Sequence, residues 1–305
     1  MRNRFFFPLL AIICIVSCTK NDDTSFLKKE KHVIFIGLDG WGGYNFEEAL
    51  SHMPHVRDFT KEGIYTDKKN AVRPTASGPN WASIFMGTTP DIHGYTNWDS
   101  KVPSEPYSFE VHNDIFPTIS QALKLDKPNS EIGMFCQWAG ILYLVDTLSI
   151  DHYNHMPMTD YDHNEFTDSI ISYLKSFRPV LCTIVFDDPD HTGHKDYYFS
   201  NEYYKVLEDL DDCITRIVMS VKDAGYYDDT VFILTSDHGG NGNSHGGESI
   251  QEKQTPFVMW GGNVKKKRYI DENLEQQDIA FIIATVLGFH IPKVWTGKPH
   301  LNYFI

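Results

Sequence analysis

The chain has 305 residues, 41% hydrophobic and 22% charged, which is the composition of a folded protein with material for a sizeable core. Its 27 basic and 41 acidic side chains leave a formal charge of −14, which argues against a nucleic-acid polymer as partner, because that binding rests on basic surface. No apolar run reaches the roughly 18–20 residues of a membrane-spanning helix.

Arg2 and Arg4 precede a short apolar run over residues 5–16, and Ser17 and Cys18 follow. A basic start, a short apolar core and small residues form an export signal. The ending Ile15-Val16-Ser17-Cys18 resembles the lipobox of bacterial lipoproteins. That resemblance implies cleavage before Cys18, lipid on its sulfur, and an exported protein held to the cell envelope by that anchor alone. Residues 1–17 then form the signal, 18–31 a polar tether and 32–305 one compact domain.

Val33–Leu38 is rich in β-branched and aromatic residues and reads as a strand buried on both faces. Met53–Gly63 predicts a helix ended by its glycine, and Pro79–Met86 a second one closed by Gly87. Glu131–Phe135 and Val180–Phe186 read as strands. Phe199–Ala224 carries the longest helical pattern, with Val206, Leu207, Leu210, Ile214, Ile217, Val218 and Val221 on one face. Thr230–Thr235 and Phe257–Trp260 are strand-like, and Gln277–Leu287 is a late helix. Strands alternating with helices predict an α/β fold, a mostly parallel central sheet with helices on both faces. Cys136, Cys182 and Cys213 form no CxxC pair, so neither a thiolate zinc site nor a disulfide framework is expected.

The chemistry-bearing residues follow three of these strands. The first runs into Asp39-Gly40, the second into Asp187-Asp188-Pro189-Asp190-His191-Thr192-Gly193-His194, and the third into Ser236-Asp237-His238, with His245 close behind. Ligands of open α/β sheets bind outside the carboxyl ends of the strands. One Asp after a strand serves as a turn residue or helix cap, but three such segments together bring carboxylates that repel unless a cation neutralises them. Mixed Asp and His donors suit zinc, whereas all-oxygen shells suit magnesium or calcium. Asp190 and His194, at i and i+4, face one ion from a helical turn. Ser77 precedes the helix Pro79–Met86, where it is either an N-cap or a nucleophile beside a dipole that favours anions. Thr75, farther from the helix start, is the weaker nucleophile.

These segments resemble the alkaline phosphatase superfamily, and within it the type I phosphodiesterase/nucleotide pyrophosphatase branch. The resemblance is carried by Gly37-Leu38-Asp39-Gly40, Pro74-Thr75-Ala76-Ser77-Gly78-Pro79-Asn80-Trp81, Pro90-Asp91-Ile92-His93-Gly94, Asp188-Pro189-Asp190-His191-Thr192-Gly193-His194 and Ser236-Asp237-His238-Gly239. It implies an alkaline-phosphatase-like fold and two zinc ions. One would be held by Asp39, Asp237 and His238 beside the Ser77 oxygen, the other by Asp190, His194 and His245. Ser77 matches the family's nucleophile, and Asn80 matches a side chain that holds a phosphate oxygen. If His245 is not a ligand, His155 and His163 are the substitutes.

The resemblance implies that one ion would make the serine hydroxyl a nucleophile toward phosphorus and the second would neutralise charge on the leaving oxygen. The Cys-x-Pro-x-Arg run of sulfatases is absent. Arg73 is the only arginine near these motifs, so a diester or pyrophosphate suits the site better than a more highly charged monoester. The implied partner is a small phosphoester or nucleotide-like molecule; a phosphomonoesterase or phosphonate hydrolase is the alternative, and a non-catalytic nutrient-binding lipoprotein the reading from another class. Trp41, Trp81, Trp98 and Trp138 read as core aromatics, Tyr153–His163 as a solvated loop, and His93 as part of a structural turn.

Overall fold

The computed structural model describes residues 31–158 and 162–305. The expected signal, Cys18 and nearly all of the tether lie outside the described residues. The strands are β1 (His32–Leu38), β2 (Ile64–Asn70), β3 (Ile132–Cys136), β4 (His152–His155), β5 (Leu181–Phe186), β6 (Thr230–Thr235), β7 (Gln254–Gly261) and β8 (Arg268–Tyr269). The helices are α1 (Phe46–His52), α2 (Pro54–Glu62), α3 (Ser77–Met86), α4 (Pro90–His93), α5 (Ile119–Asp126), α6 (Asn164–Phe177), α7 (Asp190–Asp196), α8 (Asn201–Asp223), α9 (Ile250–Lys253) and α10 (Asp278–Leu287).

All eight strands form one sheet in the order β4-β3-β5-β1-β6-β7-β2-β8. From β4 to β6 the neighbours run parallel; β7 is antiparallel to both β6 and β2. The alternation of β1 shows how the sheet is sandwiched. Val33 and Phe35 face a cluster with Trp81, Ile84 and Phe85 of α3, Leu123 of α5 and Ile282 and Ile283 of α10. Ile34, Ile36 and Leu38 face the opposite cluster, with Leu50 of α1, Val56 of α2, Ile170 of α6 and Leu210, Ile214 and Ile217 of α8. Both faces are therefore covered, which is why the strand is apolar throughout rather than alternating. Each fully buried aliphatic side chain in these layers contributes about 1.5–3 kcal/mol.

Local chemistry sets the helix ends. The Ser200 side chain accepts from the Tyr203 amide, so α8 begins at Asn201 and not at Phe199, which has a positive φ of 63°. Pro54 sits in the first turn of α2, where its missing N–H leaves no bond unmade. The periodicity reading missed α1, β2, α4, α5, β4, α6, α9 and β8. The expected loop Tyr153–His163 is corrected at its start, where residues 152–155 pair in parallel with β3 at the sheet edge. A short edge strand with one face in water carries little apolar signal.

Candidate active site

Strands β5, β1 and β6 are adjacent and parallel, so their carboxyl ends emerge at one edge. Asp39 follows β1, the Asp187–Asp190 turn follows β5, and Asp237 and His238 follow β6. Backbone contacts lock the three ends together. The Asp190 amide donates to the Asp39 carbonyl at 2.9 Å, and the Gly40 amide donates to Asp237 Oδ1 at 3.1 Å. Gly40 has φ +72°, and a Cβ there would stand 2.7 Å from that of Asp190. Only glycine permits this approach.

All six acid and histidine residues singled out as ligands converge. His238 Nε2 lies 3.5 Å from Asp39 Oδ1 and 3.3 Å from Asp237 Oδ2. On the other side, Asp190 Oδ2 is 3.3 Å from His194 Nε2, and its Oδ1 is 3.7 Å from His245 Nε2. Asp190, His194 and His245 form one group whose donor atoms all lie within 4.8 Å of one another, and Asp190 also groups with Asp39 and His238. Tetrahedral bonds of about 2.0–2.1 Å place donor atoms about 3.4 Å apart, so these spacings fit an ion of zinc's size. Asp237 Oδ2 is fully buried with no hydrogen-bond partner, an acceptor that a cation would satisfy.

The electrostatics point the same way. Burial, then the charges of Asp237 and Asp190, push the Asp39 carboxyl well above its usual range. Burial and Asp190 push Asp237 up to about 8, and burial with Asp190 and Asp188 pushes Asp187 up to about 7. Burial also opposes the charge on Asp190, but its hydrogen bond with His194 and the nearby His238 and His245 rings outweigh that and hold it at about 2. His238 is pushed down to about 3 by burial and His245, which keeps the ring neutral, as a metal ligand must be. A cluster that holds its carboxylates charged only with difficulty is one that divalent cations stabilise.

Ser77 stands at the focus. Its Oγ lies 3.1 Å from His238 Nε2 and 3.4 Å from Asp39 Oδ1. The structure corrects its place in the chain: Ser77 is the first helical residue of α3, Ala76 is the N-cap, and no side chain caps the helix. The hydroxyl is therefore directed into the site and not at the backbone. Trp81, one turn on, donates from Nε1 to Asp39 Oδ2 at 2.8 Å, leaving Oδ1 of that carboxylate toward Ser77. A cavity of about 940 Å³ opens over Ser77, Asp39, Asp190, His194 and His245.

The expectation for Asn80 does not survive. Its side chain is fully buried and its amide donates to the carbonyls of Pro74 and Ala76 at 3.0 and 2.9 Å, while Oδ1 accepts from the Val72 amide at 2.7 Å. Its hydrogen bonds brace the loop before Ser77, and it is not among the residues that line the cavity. Thr75 is likewise engaged, donating to the Gly247 carbonyl at 2.8 Å. His163 packs 3.2 Å from Asp188 and His155 contacts the Gln137 carbonyl, so both stand apart from the two ligand groups.

Two aromatic assignments are corrected too. Trp41 and Trp81 are core, but Trp98 is 60% exposed and lines the cavity together with Trp138. The loop over Thr96, Asn97 and Trp98 lines the same cavity as Ser77 and packs against Gly78 next to it. A Cβ on Gly78 would meet the Asn97 carbonyl oxygen at 2.3 Å. Nothing in the local pattern marks this loop as functional except its tryptophan.

The model of the family described as type I phosphodiesterase/nucleotide pyrophosphatase matches residues 33–253. A bovine (Bos taurus) bis(5′-adenosyl)-triphosphatase ENPP4 is 26% identical over 223 residues, covering 68% of this chain and 47% of that protein. The chain thus spans about half the length of the curated relatives it matches. Among solved structures, an inactive variant of murine ectonucleotide pyrophosphatase/phosphodiesterase 5 in complex with AMP superposes with a TM-score of 0.72 at 15% identity, covering 90% of this chain and 100% of that one. A phosphonate monoester hydrolase from Silicibacter pomeroyi superposes with a TM-score of 0.70 at 16% identity, covering 90% and 76%. These likenesses establish an alkaline-phosphatase-like fold. With the matched segment spanning the three strand ends and Ser77, the chain belongs to the type I phosphodiesterase/nucleotide pyrophosphatase family.

Proposed function

We propose that this protein is a zinc-dependent hydrolase that cleaves phosphodiester or pyrophosphate bonds of small, nucleotide-like substrates through a phosphoserine on Ser77. The observation that carries the proposal is the position of Ser77 Oγ, 3.1 Å from His238 Nε2 at the floor of a cavity where two acid–histidine groups meet. Asp39, Asp237 and His238 would hold one ion, and Asp190, His194 and His245 the other. Bound there, the pair would make the serine hydroxyl a nucleophile at neutral pH and neutralise charge on the apical oxygens.

Ser77 Oγ attacks phosphorus, and the bond to the leaving-group oxygen breaks. Water then cleaves the phosphoserine, returning the hydroxyl and releasing the phosphate product. The Ser77 and Gly78 amides at the start of α3 have no intrahelical partner and are donors for the equatorial oxygens; Pro79 has no N–H, and the Asn80 amide already donates to the Ala76 carbonyl at 3.2 Å. Asn80 holds the loop that presents Ser77.

Charge favours a diester. Among the described residues Lys195 is the one lysine or arginine that lines the cavity, and Arg73 is paired with Glu248 at 2.8 Å on the surface, so the cavity offers little extra positive charge for a monoester. The exposed faces of Trp98 and Trp138 suit a planar base, in keeping with the bovine relative's name and with the AMP held by the murine structure. The test compares bis(p-nitrophenyl) phosphate with p-nitrophenyl phosphate, before and after chelation and after zinc is restored. The diester is cleaved faster, chelation abolishes turnover, zinc restores it, and Ser77→Ala loses at least about a thousand-fold. Faster monoester cleavage would instead mark a phosphomonoesterase, and zinc binding without turnover of any phosphoester a binding protein.

A further inference from the structure

Behind the site, on the side away from the cavity, lies a buried polar chain that the proposed reaction does not use. Lys69, on β2, is fully buried. Its ammonium donates to the Ser236 carbonyl at 2.9 Å and to Oε1 of Gln276. Lysine is almost never found fully buried, because removing the ammonium from water is costly unless its bonds and surrounding charge compensate.

Gln276, also fully buried, stands just before α10. The Lys69 Nζ–H donates to Oε1 of Gln276, which turns the amide oxygen toward Lys69. The amide nitrogen therefore faces the other way. It donates to the carbonyl of Asp237 and, at 3.3 Å, to Oδ1 of Asn80. Asn80 belongs to α3 and braces the loop 72–76 that leads into Ser77. One side chain thus bridges the strand end that carries Asp237 and His238 and the helix that carries Ser77.

We propose that Gln276, oriented by Lys69, is a positioning residue that fixes the spacing between the nucleophile Ser77 and the ligands Asp237 and His238. The inference rests on the hydrolase reading for its kinetic test but not for its binding test. Neither residue touches the cavity, so their effect passes through backbone and Asn80 alone. Partners of this kind outside a metal's ligands change affinity or activity by about 10–100-fold when removed.

The experiment uses the purified chain with Gln276→Met, Lys69→Met, the double variant and Gln276→Glu. Turnover of bis(p-nitrophenyl) phosphate is measured beside zinc affinity by competition with a chelating dye, with circular dichroism and Tm as the record of folding. Gln276→Met lowers kcat and zinc affinity about 10–100-fold with KM within about two-fold, and Lys69→Met acts in the same direction. Because Lys69 acts mainly through Gln276 and otherwise reaches only the Ser236 carbonyl, the double variant loses less than the product of the two single losses. Gln276→Glu keeps the shape and the pairing with Lys69 but has no N–H to donate; it must show the same losses, and it decides the matter if the methionine variant does not fold. Wild-type kcat and zinc affinity in any folded Gln276 variant overturn the proposal, as do losses that multiply in the double variant. If the wild type cleaves no diester, the hydrolase reading fails by itself, and the zinc affinities still decide the role of Gln276.

Discussion

His93 makes the native state sensitive to acid. The ring is fully buried at the end of α4. Its Nδ1 accepts from the Tyr95 amide at 3.1 Å, and its Nε2 stands 3.0 Å from Ser83 Oγ. An amide can only donate, so Nδ1 carries no proton and Nε2–H is the donor to Ser83. A second proton has no place except on Nδ1, against the Tyr95 N–H. Burial accordingly pushes the ring from its ordinary 6.5 down to about 3. Below pH 6.5 the unfolded chain takes up a proton that the folded chain refuses. Stability is therefore complete above that pH and falls as pH drops toward 3, by about 1.4 kcal/mol for each pH unit. Replacement of the ring removes this term. His93→Gln is less stable than wild type at pH 7.5 by about 1–3 kcal/mol, from the disturbed bonds to Ser83 and Tyr95. At pH 5.0 the difference is smaller by about 2 kcal/mol. Urea unfolding at both pH values measures it. A difference that stays constant within about 0.5 kcal/mol would refute the assigned tautomer and the neutral buried ring.

Three further outcomes are expected. Trp81→Phe removes the donor to Asp39 Oδ2 and lowers both zinc affinity and kcat about tenfold, equivalent to about 1.4 kcal/mol in each; values within two-fold of wild type would show that the carboxylate does not need this partner. Asn80→Ala releases the loop before Ser77 and lowers kcat more than it raises KM for bis(p-nitrophenyl) phosphate; a change confined to KM would return Asn80 to substrate contact. The anchor proposed at Cys18 predicts incorporation of a clickable fatty-acid analogue in cells, lost in Cys18→Ala; labelling that persists in the variant would remove the lipoprotein assignment.

Much of the site was legible because its residues follow short apolar runs. Val33–Leu38 ahead of Asp39, Val180–Phe186 ahead of Asp187 and Thr230–Thr235 ahead of Ser236 each read as a strand with chemistry at its end. The rule that a largely parallel sheet gathers ligands at the carboxyl ends of its strands does the rest. The six converging acids and histidines needed no more than this ordering together with the family resemblance. The long helix was legible as well, since Leu207, Leu210, Ile214, Ile217 and Val221 repeat at the helical period.

Directions of side chains were not legible. Asn80 and Trp81 are neighbours in sequence, yet one turns back to brace a loop and the other reaches Asp39. That divergence depends on where the 72–76 loop and β1 lie relative to α3, which no local pattern encodes. Trp98 and Trp138 come to one cavity from loops far apart in the chain. Lys69 sits in the polar run Asp67-Lys68-Lys69-Asn70, which carries no apolar signal, yet it is wholly enclosed. Its burial follows from the pairing of β2 with β7 and from the covering segment around Gln276. Order along the chain and the period of apolar residues determine the sheet, its helices and the edge where the chemistry gathers. Which face of each residue meets that edge is decided only by packing between elements distant in sequence, because a side chain's partner there is set by distance in space.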